Sequence, residues 1–227
     1  MHIYGLQKLT LLDYPGKMAA TVFTGRCNMR CPFCHNPDLV LNNTEEYSLD
    51  KFYKFLMTRK STLEGICITG GEPMVNEKIG DFISEIKEMG YLVKLDTNGT
   101  FPDRLEKIID QIDYIAIDIK NSPEKYAKTA GLENFDISCV KKSIAIVMSR
   151  AKDYEFRTTV VKGLHEVEDI EECAKLIEGA KRYYLQKFID SGHLLGQEKY
   201  LAWDDDTMRA MQKVALKHVQ SCELRGV

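Results

Sequence analysis

Three cysteines stand within eight residues, in the run Gly25-Arg26-Cys27-Asn28-Met29-Arg30-Cys31-Pro32-Phe33-Cys34-His35-Asn36-Pro37. Thiolates are the usual ligands of iron–sulfur clusters, and a cubane of four irons ordinarily takes four of them. A set of three leaves one iron without a protein ligand, and an open coordination position is what a metal centre needs to bind and activate a substrate. Blander chemistries compete. Zinc could draw on Cys27, Cys31, Cys34 and His35, although directly adjacent ligands make poor chelate geometry. A redox-active C-x2-C of Cys31 and Cys34 would leave Cys27 idle. Chance is the third alternative: at roughly 3% cysteine, two fixed spacings beside a given cysteine arise about once in a thousand.

Other residues able to do chemistry follow short apolar runs: Gly70-Gly71-Glu72-Pro73, Asp96-Thr97-Asn98-Gly99 and Asp118-Ile119-Lys120. Each has an ordinary explanation. A Gly-Gly pair after a strand is often only a tight turn, and Asn-Gly is a strong turn signal. Glu72 reads as a solvated loop carboxylate, and Asp118 with Lys120 as a surface pair that contributes little. Their common position at one end of successive strands favours a joint role, because unrelated turns need not fall on the same face of a sheet.

The remaining composition narrows the class. A chain of 227 residues with 44% hydrophobic and 29% charged residues is an ordinary soluble globular one. Its net charge of −3 offers no basic surface to nucleic acid or anionic lipid. Met1–Lys17 is interrupted by Gln7, Lys8 and Asp13, so it carries no secretion-signal core, and no stretch approaches the ~20 apolar residues of a membrane span. The expectation is a cytoplasmic protein with no membrane or nucleic-acid partner. Seven cysteines cannot all pair. Cys67, Cys139, Cys173 and Cys222 read as scattered buried thiols, whereas a grouped triplet in a reducing cytosol points to metal or catalysis. His2, His35, His165, His193 and His218 show no metal-ligand spacing among themselves.

The elements that must position these residues alternate. Apolar runs at Ala19–Thr24, Gly65–Thr69, Tyr91–Asp96, Tyr114–Ile119, Tyr154–Val161 and Arg182–Phe188 have the look of buried parallel strands. Between them Ser48–Arg59, a helix capped by Asn76 and stopped at Gly90, Asp103–Asp110, Ile137–Arg150 behind Asp136, Val167–Glu178 and Asp206–Gln220 carry helical periodicity. Six strand–helix units imply a parallel sheet with right-handed crossovers. Six are too few for an eight-fold barrel, so the expected fold is an open, partial (β/α)6 barrel of the α/β class, with a flat doubly wound sheet as the alternative. In either, ligands bind at the carboxyl ends of the strands. The expected layout is a single domain over 1–227, with an N-terminal extension at 1–18, a core at about 19–188 and a C-terminal loop and helix at 189–227.

The triplet, with an aromatic before its third cysteine, resembles the signature of the radical S-adenosylmethionine (SAM) superfamily. Thr69-Gly70-Gly71-Glu72-Pro73 resembles that superfamily's methionine-binding motif, and Asp96-Thr97-Asn98-Gly99 and Asp118-Ile119-Lys120 resemble segments of the activases of glycyl-radical enzymes. Leu6-Gln7-Lys8, Asp13-Tyr14-Pro15-Gly16-Lys17, Val22-Phe23-Thr24-Gly25 and Cys34-His35-Asn36-Pro37 are similar to the anaerobic ribonucleoside-triphosphate reductase activating proteins. The likeness is strongest up to Lys120 and vague after about Val161.

The resemblance implies a 4Fe-4S cluster on Cys27, Cys31 and Cys34 that reductively cleaves SAM to a 5′-deoxyadenosyl radical. It implies that the methionyl amine meets backbone at Gly70 and Gly71, with Glu72 holding that turn or meeting the amine, and that Lys120 and Arg157 meet the carboxylate. Asp118 and Gln186 are candidates for the ribose, and Phe33 and Asn36 for the adenine side. Asn98 belongs to the same cofactor-binding set, and Asp96, Thr97 and Asp118 match ligands of a monovalent cation. The implied partners are a glycyl-radical enzyme, such as anaerobic ribonucleotide reductase or a pyruvate formate-lyase-like enzyme, and a flavodoxin- or ferredoxin-like electron donor. Little sequence lies between Cys34 and the next strand, so no second cluster domain is expected there. A radical SAM enzyme acting on a small molecule, and a non-catalytic metal or electron-transfer module, are the competing readings. The sequence leaves the role of Trp203 and of loop 189–202 open.

Overall fold

The alternating runs resolve into one eight-stranded sheet in the computed structural model, which describes residues 1–227. In chain order the elements are β1 (Ile3–Thr10), β2 (Ala19–Thr24), α1 (Pro37–Leu41), α2 (Leu49–Met57), β3 (Gly65–Gly70), α3 (Ile79–Glu88), β4 (Leu92–Thr97), α4 (Pro102–Ile108), β5 (Tyr114–Asp118), α5 (Tyr126–Ala130), α6 (Ser138–Arg150), β6 (Tyr154–Val160), α7 (Val167–Leu176), β7 (Tyr183–Lys187), α8 (Asp205–Ala215) and β8 (Cys222–Arg225). The strands lie side by side in sequence order, β1 antiparallel to β2 and every later pair parallel. β1 and β8 do not pair, so the sheet curves as a partial barrel with two open edges.

Period-two alternation divides the sheet into two unlike faces. Ile66, Ile68, Val93, Leu95, Ile115, Ile117, Phe156 and Leu185 are fully buried, in the main core with residues of the helices. Their partners in the alternation, Cys67, Thr69, Lys94, Asp96, Asp118, Glu155, Arg157 and Gln186, form the other face, which is largely polar and charged. Helix burial follows the 3.6-residue period. In α3 the buried residues are Ile79, Phe82, Ile83 and Ile86, and in α8 they are Met208, Met211 and Ala215. α7 begins at a capping box in which Glu166 and Asp169 satisfy each other's backbone N–H groups.

The segment before β2 closes the amino end of the strands. Tyr14, 4% exposed, packs on Tyr114 with ring centroids 6.0 Å apart, and Thr21 donates to Asp13. Glu64 ties that segment down by accepting from the Met18 N–H at 3.0 Å and Lys17 Nζ at 2.9 Å.

The structure adds to the expected six-strand core. β1 is a half-exposed edge strand carrying Gly5, Gln7 and Lys8, which hides its alternation, and β8 is four residues long. The expected Asp206–Gln220 helix stops at Ala215, and the chain turns so that β8 can pair with β7. Asn76 does not cap α3; it ends a 3-10 turn at Pro73–Val75, and its Oδ1 accepts from the Lys78 N–H at 3.0 Å. The helices α1 and α5, five residues each, were too short to read from periodicity. No helix is long and apolar enough to cross a membrane.

Candidate functional site

At the carboxyl ends of the parallel strands lies a cavity of about 310 Å³, near the small end of ligand sites. All fifteen candidate residues, from Cys27 to Gln186, line it. Met29, His35, Val40, Thr69 and Thr159 join them. Thr69 and Thr159 have the same strand parity as Asp96 and Arg157, and that parity was the signal available for finding them.

The cysteine loop is shaped by its own backbone. All three thiols are free. The N–H groups of Met29 and Asn36 each point at a sulfur, Cys27 Sγ and Cys34 Sγ, at 3.4 Å. Such donors stabilise a thiolate and tune a cluster bound to it. Without metal, burial pushes the Cys27 thiol up to about 12 and also raises Cys31, so binding must displace protons. No three His, Cys, Asp or Glu side chains converge closely enough to hold one metal ion. Cys27, Cys31, Cys34 and His35 are thus not gathered as one zinc site, whereas a cubane takes its thiolates at different irons. The three free thiols on one cavity wall therefore fit a cluster with an open iron.

The turn after β3 presses against this loop. Gly71 donates to the Thr24 carbonyl at 2.9 Å, and the Glu72 N–H to the Arg26 carbonyl at 2.8 Å. Gly70 has φ of +117°, and a Cβ on Gly71 would lie 1.9 Å from the Arg26 oxygen. Only a backbone without side chains fits there. Glu72 is 1% exposed. Its Oε1 accepts from the Met74 N–H at 3.0 Å and Thr97 Oγ at 2.7 Å, and its Oε2 from the Asn98 N–H at 2.6 Å. Burial nonetheless raises its carboxyl to about 7. It fastens the end of β3 to the end of β4. Asn98 carries the connection onward, donating from Nδ2 to Asn28 Oδ1 at 2.9 Å while lying 3.9 Å from Cys27 Sγ.

Below the cysteines the inner face holds a continuous ion network. Arg157 Nε donates to Asp118 Oδ1 at 2.9 Å and Nη1 to Asp96 Oδ2 at 3.2 Å. Lys120 Nζ donates to Asp118 Oδ2 at 3.1 Å, and Lys94 to Asp96 Oδ1. Arg225 forks onto Glu155 at 3.1 and 2.9 Å. Burial by itself would raise Asp118; Arg157 and then Lys120 outweigh it and hold the carboxyl well below its usual range. Lys120, with one side-chain bond to Asp118, also lines the cavity. A neutral hydroxyl could still donate to Asp118, because a carboxylate oxygen accepts more than one bond. A monovalent cation at Asp96 and Asp118 fits poorly, because each carboxylate oxygen already carries a cationic donor; Thr97 Oγ donates to Glu72 and so keeps its lone pairs. Lys94 was the residue missed in the sequence, although it shares Asp96's parity on β4.

Two further contacts frame the cavity. His165, fully buried, receives the Val161 N–H on Nδ1 at 3.1 Å, so its Nε2–H donates to the Lys120 carbonyl at 2.8 Å. Its ring meets Phe33 edge-on, with centroids 6.4 Å apart. Trp203 donates to the His165 carbonyl at 2.7 Å and stacks under Lys162, so it braces the molecule rather than lining the cavity.

Comparison with known proteins agrees with this geometry. Residues 21–182 match the family described as the Radical SAM superfamily. A Methanocaldococcus jannaschii protein, named provisionally as a glycyl-radical enzyme activating enzyme, is 31% identical over 99% of this chain and 96% of its own. A Staphylococcus aureus pyruvate formate-lyase-activating enzyme is 27% identical over 60% of both chains. A Haemophilus influenzae 7-carboxy-7-deazaguanine synthase is 35% identical, over 50% of this chain and 49% of its own. Among solved structures, a domain of the pyruvate-formate lyase-activating enzyme from Bacteroides vulgatus superposes with a TM-score of 0.57 at 13% identity, covering 71% of this chain and 99% of that one.

Proposed function

The chain belongs to the radical SAM superfamily, using a 4Fe-4S cluster and SAM, and from that membership we propose that it activates a glycyl-radical enzyme by removing a hydrogen atom from a glycine of its partner. The observation that carries this is the end-to-end match to a relative named as such an activating enzyme, in a chain whose sheet stays open at both edges.

When bound, the cluster supplies the electron that cleaves SAM and releases a 5′-deoxyadenosyl radical. The chain's own residues do the positioning. Cys27, Cys31 and Cys34 hold the cluster, and backbone N–H groups steady two of those sulfurs. Gly70 and Gly71 offer an uncovered shelf to the methionyl amine, and Glu72 holds that shelf in place. Lys120 and Arg157 meet the carboxylate, Asp118 and Gln186 face the ribose, and Phe33 and Asn36 the adenine side. No residue needs to act as a general base, because the radical takes a whole hydrogen atom.

At the finer level the partner is an anaerobic ribonucleoside-triphosphate reductase, supported by the Asp13–Lys17 and Cys34–Pro37 segments; a pyruvate formate-lyase-like partner is the alternative. The electron comes from a flavodoxin- or ferredoxin-like donor. Seven free thiols suit the reducing cytoplasm, where we place the protein. The match to 7-carboxy-7-deazaguanine synthase favours a small-molecule substrate, but it spans only half of each chain.

Anaerobic reconstitution with iron and sulfide, followed by dithionite and SAM, tests the proposal. It should yield 5′-deoxyadenosine and, with the reductase added, a glycyl-radical signal on the reductase by electron paramagnetic resonance. Cys31→Ala should lower 5′-deoxyadenosine formation by more than about 100-fold. Cleavage retained in that variant would refute the cluster assignment, and cleavage without a signal on any glycyl-radical enzyme would refute the activase reading.

A further inference from the structure

Lys94 is a buried cation to which the chemistry above assigns no task. It is 1% exposed, and a lysine so deep is rare unless paired. The strand register sets it between Cys67 on β3 and Tyr114 on β5. Its Nζ donates to Asp96 Oδ1, 3.8 Å from Cys67 Sγ and 5.9 Å from the Tyr114 ring centroid. Asp96 in turn holds Arg157 at 3.2 Å, and Asp96 and Arg157 both line the cavity, whereas Lys94 lies just beneath it.

The network is nearly closed in charge. Lys94, Lys120, Arg157 and Arg225 face Asp96, Asp118 and Glu155, four formal cations against three carboxylates. The single excess positive charge matches one incoming carboxylate. A dissociable monovalent cation on Asp96 would press against an ammonium and a guanidinium already on the same carboxylate, and the low local dielectric strengthens that repulsion.

We propose that Lys94 is a tethered replacement for such a cation: its ammonium is the permanent counter-ion of Asp96, and through Asp96 it positions Arg157 for the substrate carboxylate. SAM binding by this protein therefore needs no added monovalent cation. The inference rests on reading the cavity as the SAM site. Lys94 acts through Asp96 and is a positioning residue.

The test measures SAM affinity of the cluster-loaded protein by equilibrium dialysis at constant ionic strength. Tetramethylammonium is the only cation in one arm, and K⁺, Na⁺ or NH₄⁺ replaces it in the others. Wild-type affinity should change by less than about twofold across the arms. Lys94→Ala should bind about tenfold more weakly in tetramethylammonium and regain most of that loss in K⁺ or NH₄⁺, which a merely structural lysine would not permit. Metal-free Lys94→Ala should also gain thermal stability on adding NH₄⁺, and wild type should not. Tight wild-type binding that requires K⁺ or Na⁺ overturns the inference without any variant, as does a folded Lys94→Ala that no small cation restores. Failure of the loaded wild type to bind SAM in every salt would instead overturn the site reading, and this inference with it.

Discussion

Gly71 meets the Arg26 carbonyl so closely that a Cβ would sit 1.9 Å from its oxygen. The Gly70–Gly71 shelf and the cysteine loop are therefore one packed object, joined again by the Glu72 N–H bond to the same carbonyl. Gly71→Ala must push that loop away. It is expected to destabilise the protein by about 1–3 kcal/mol in denaturant unfolding and to weaken SAM binding by at least about tenfold; unchanged affinity would show that the shelf is not where SAM lies. At this scale the sequence was informative where chemistry is local. Three cysteines at fixed spacing and a Gly-Gly-Glu turn announce themselves. Lys94 did not, because a lysine in an apolar run reads as a lapse in the pattern until Asp96 and Arg157 are seen around it.

Among the elements, the segment between β7 and α8 has the least regular structure and a defined task. Its Leu195 N–H donates to the Cys34 carbonyl at 3.2 Å and its Gly196 N–H to the Pro32 carbonyl at 2.7 Å. A Cβ on Gly196 would lie 2.8 Å from the Pro32 carbonyl oxygen. The segment is thus latched onto the cysteine loop. Gly196→Ala should break the latch, at a cost of about 0.5–1.5 kcal/mol per lost bond, and should speed loss of iron to a chelator by about three- to tenfold. Equal rates in variant and wild type would show that the cysteine loop holds itself. Nothing in the periodicity of residues 189–202 pointed to this, since a latch made of two backbone N–H groups leaves no side-chain pattern.

Across the whole molecule the polar inner face ties β4, β5, β6 and β8 together by charge. Its pH dependence follows from the sign of each shift. Asp118 is held below its usual range, so its contribution to stability is present above the unfolded value near 3.9 and is lost as pH falls below it. Asp118→Asn should lower the Tm of the metal-free protein at neutral pH, and the gap to wild type should shrink as pH falls below about 4. A gap that stays constant with pH would remove the network from the stability of the fold. Glu72, raised to about 7 by burial, works in the opposite direction. Its contribution is present below about 4.5 and is lost as pH rises through 7.

The amino-acid sequence by itself determined the superfamily, the six parallel strands of the core and the residues that meet at their carboxyl ends. Those follow from spacing along the chain and from the two-residue and 3.6-residue periods, which are properties of nearby residues. The edge strands β1 and β8, the latch at Leu195 and Gly196, and the partners of Asp96 were decided only by the tertiary structure. A short strand is stable only beside a neighbour, and a carboxylate takes whichever cation the register brings to it. That is why Asp96 faces Lys94, a residue two places away in sequence whose ammonium it meets between the walls that β3 and β5 build.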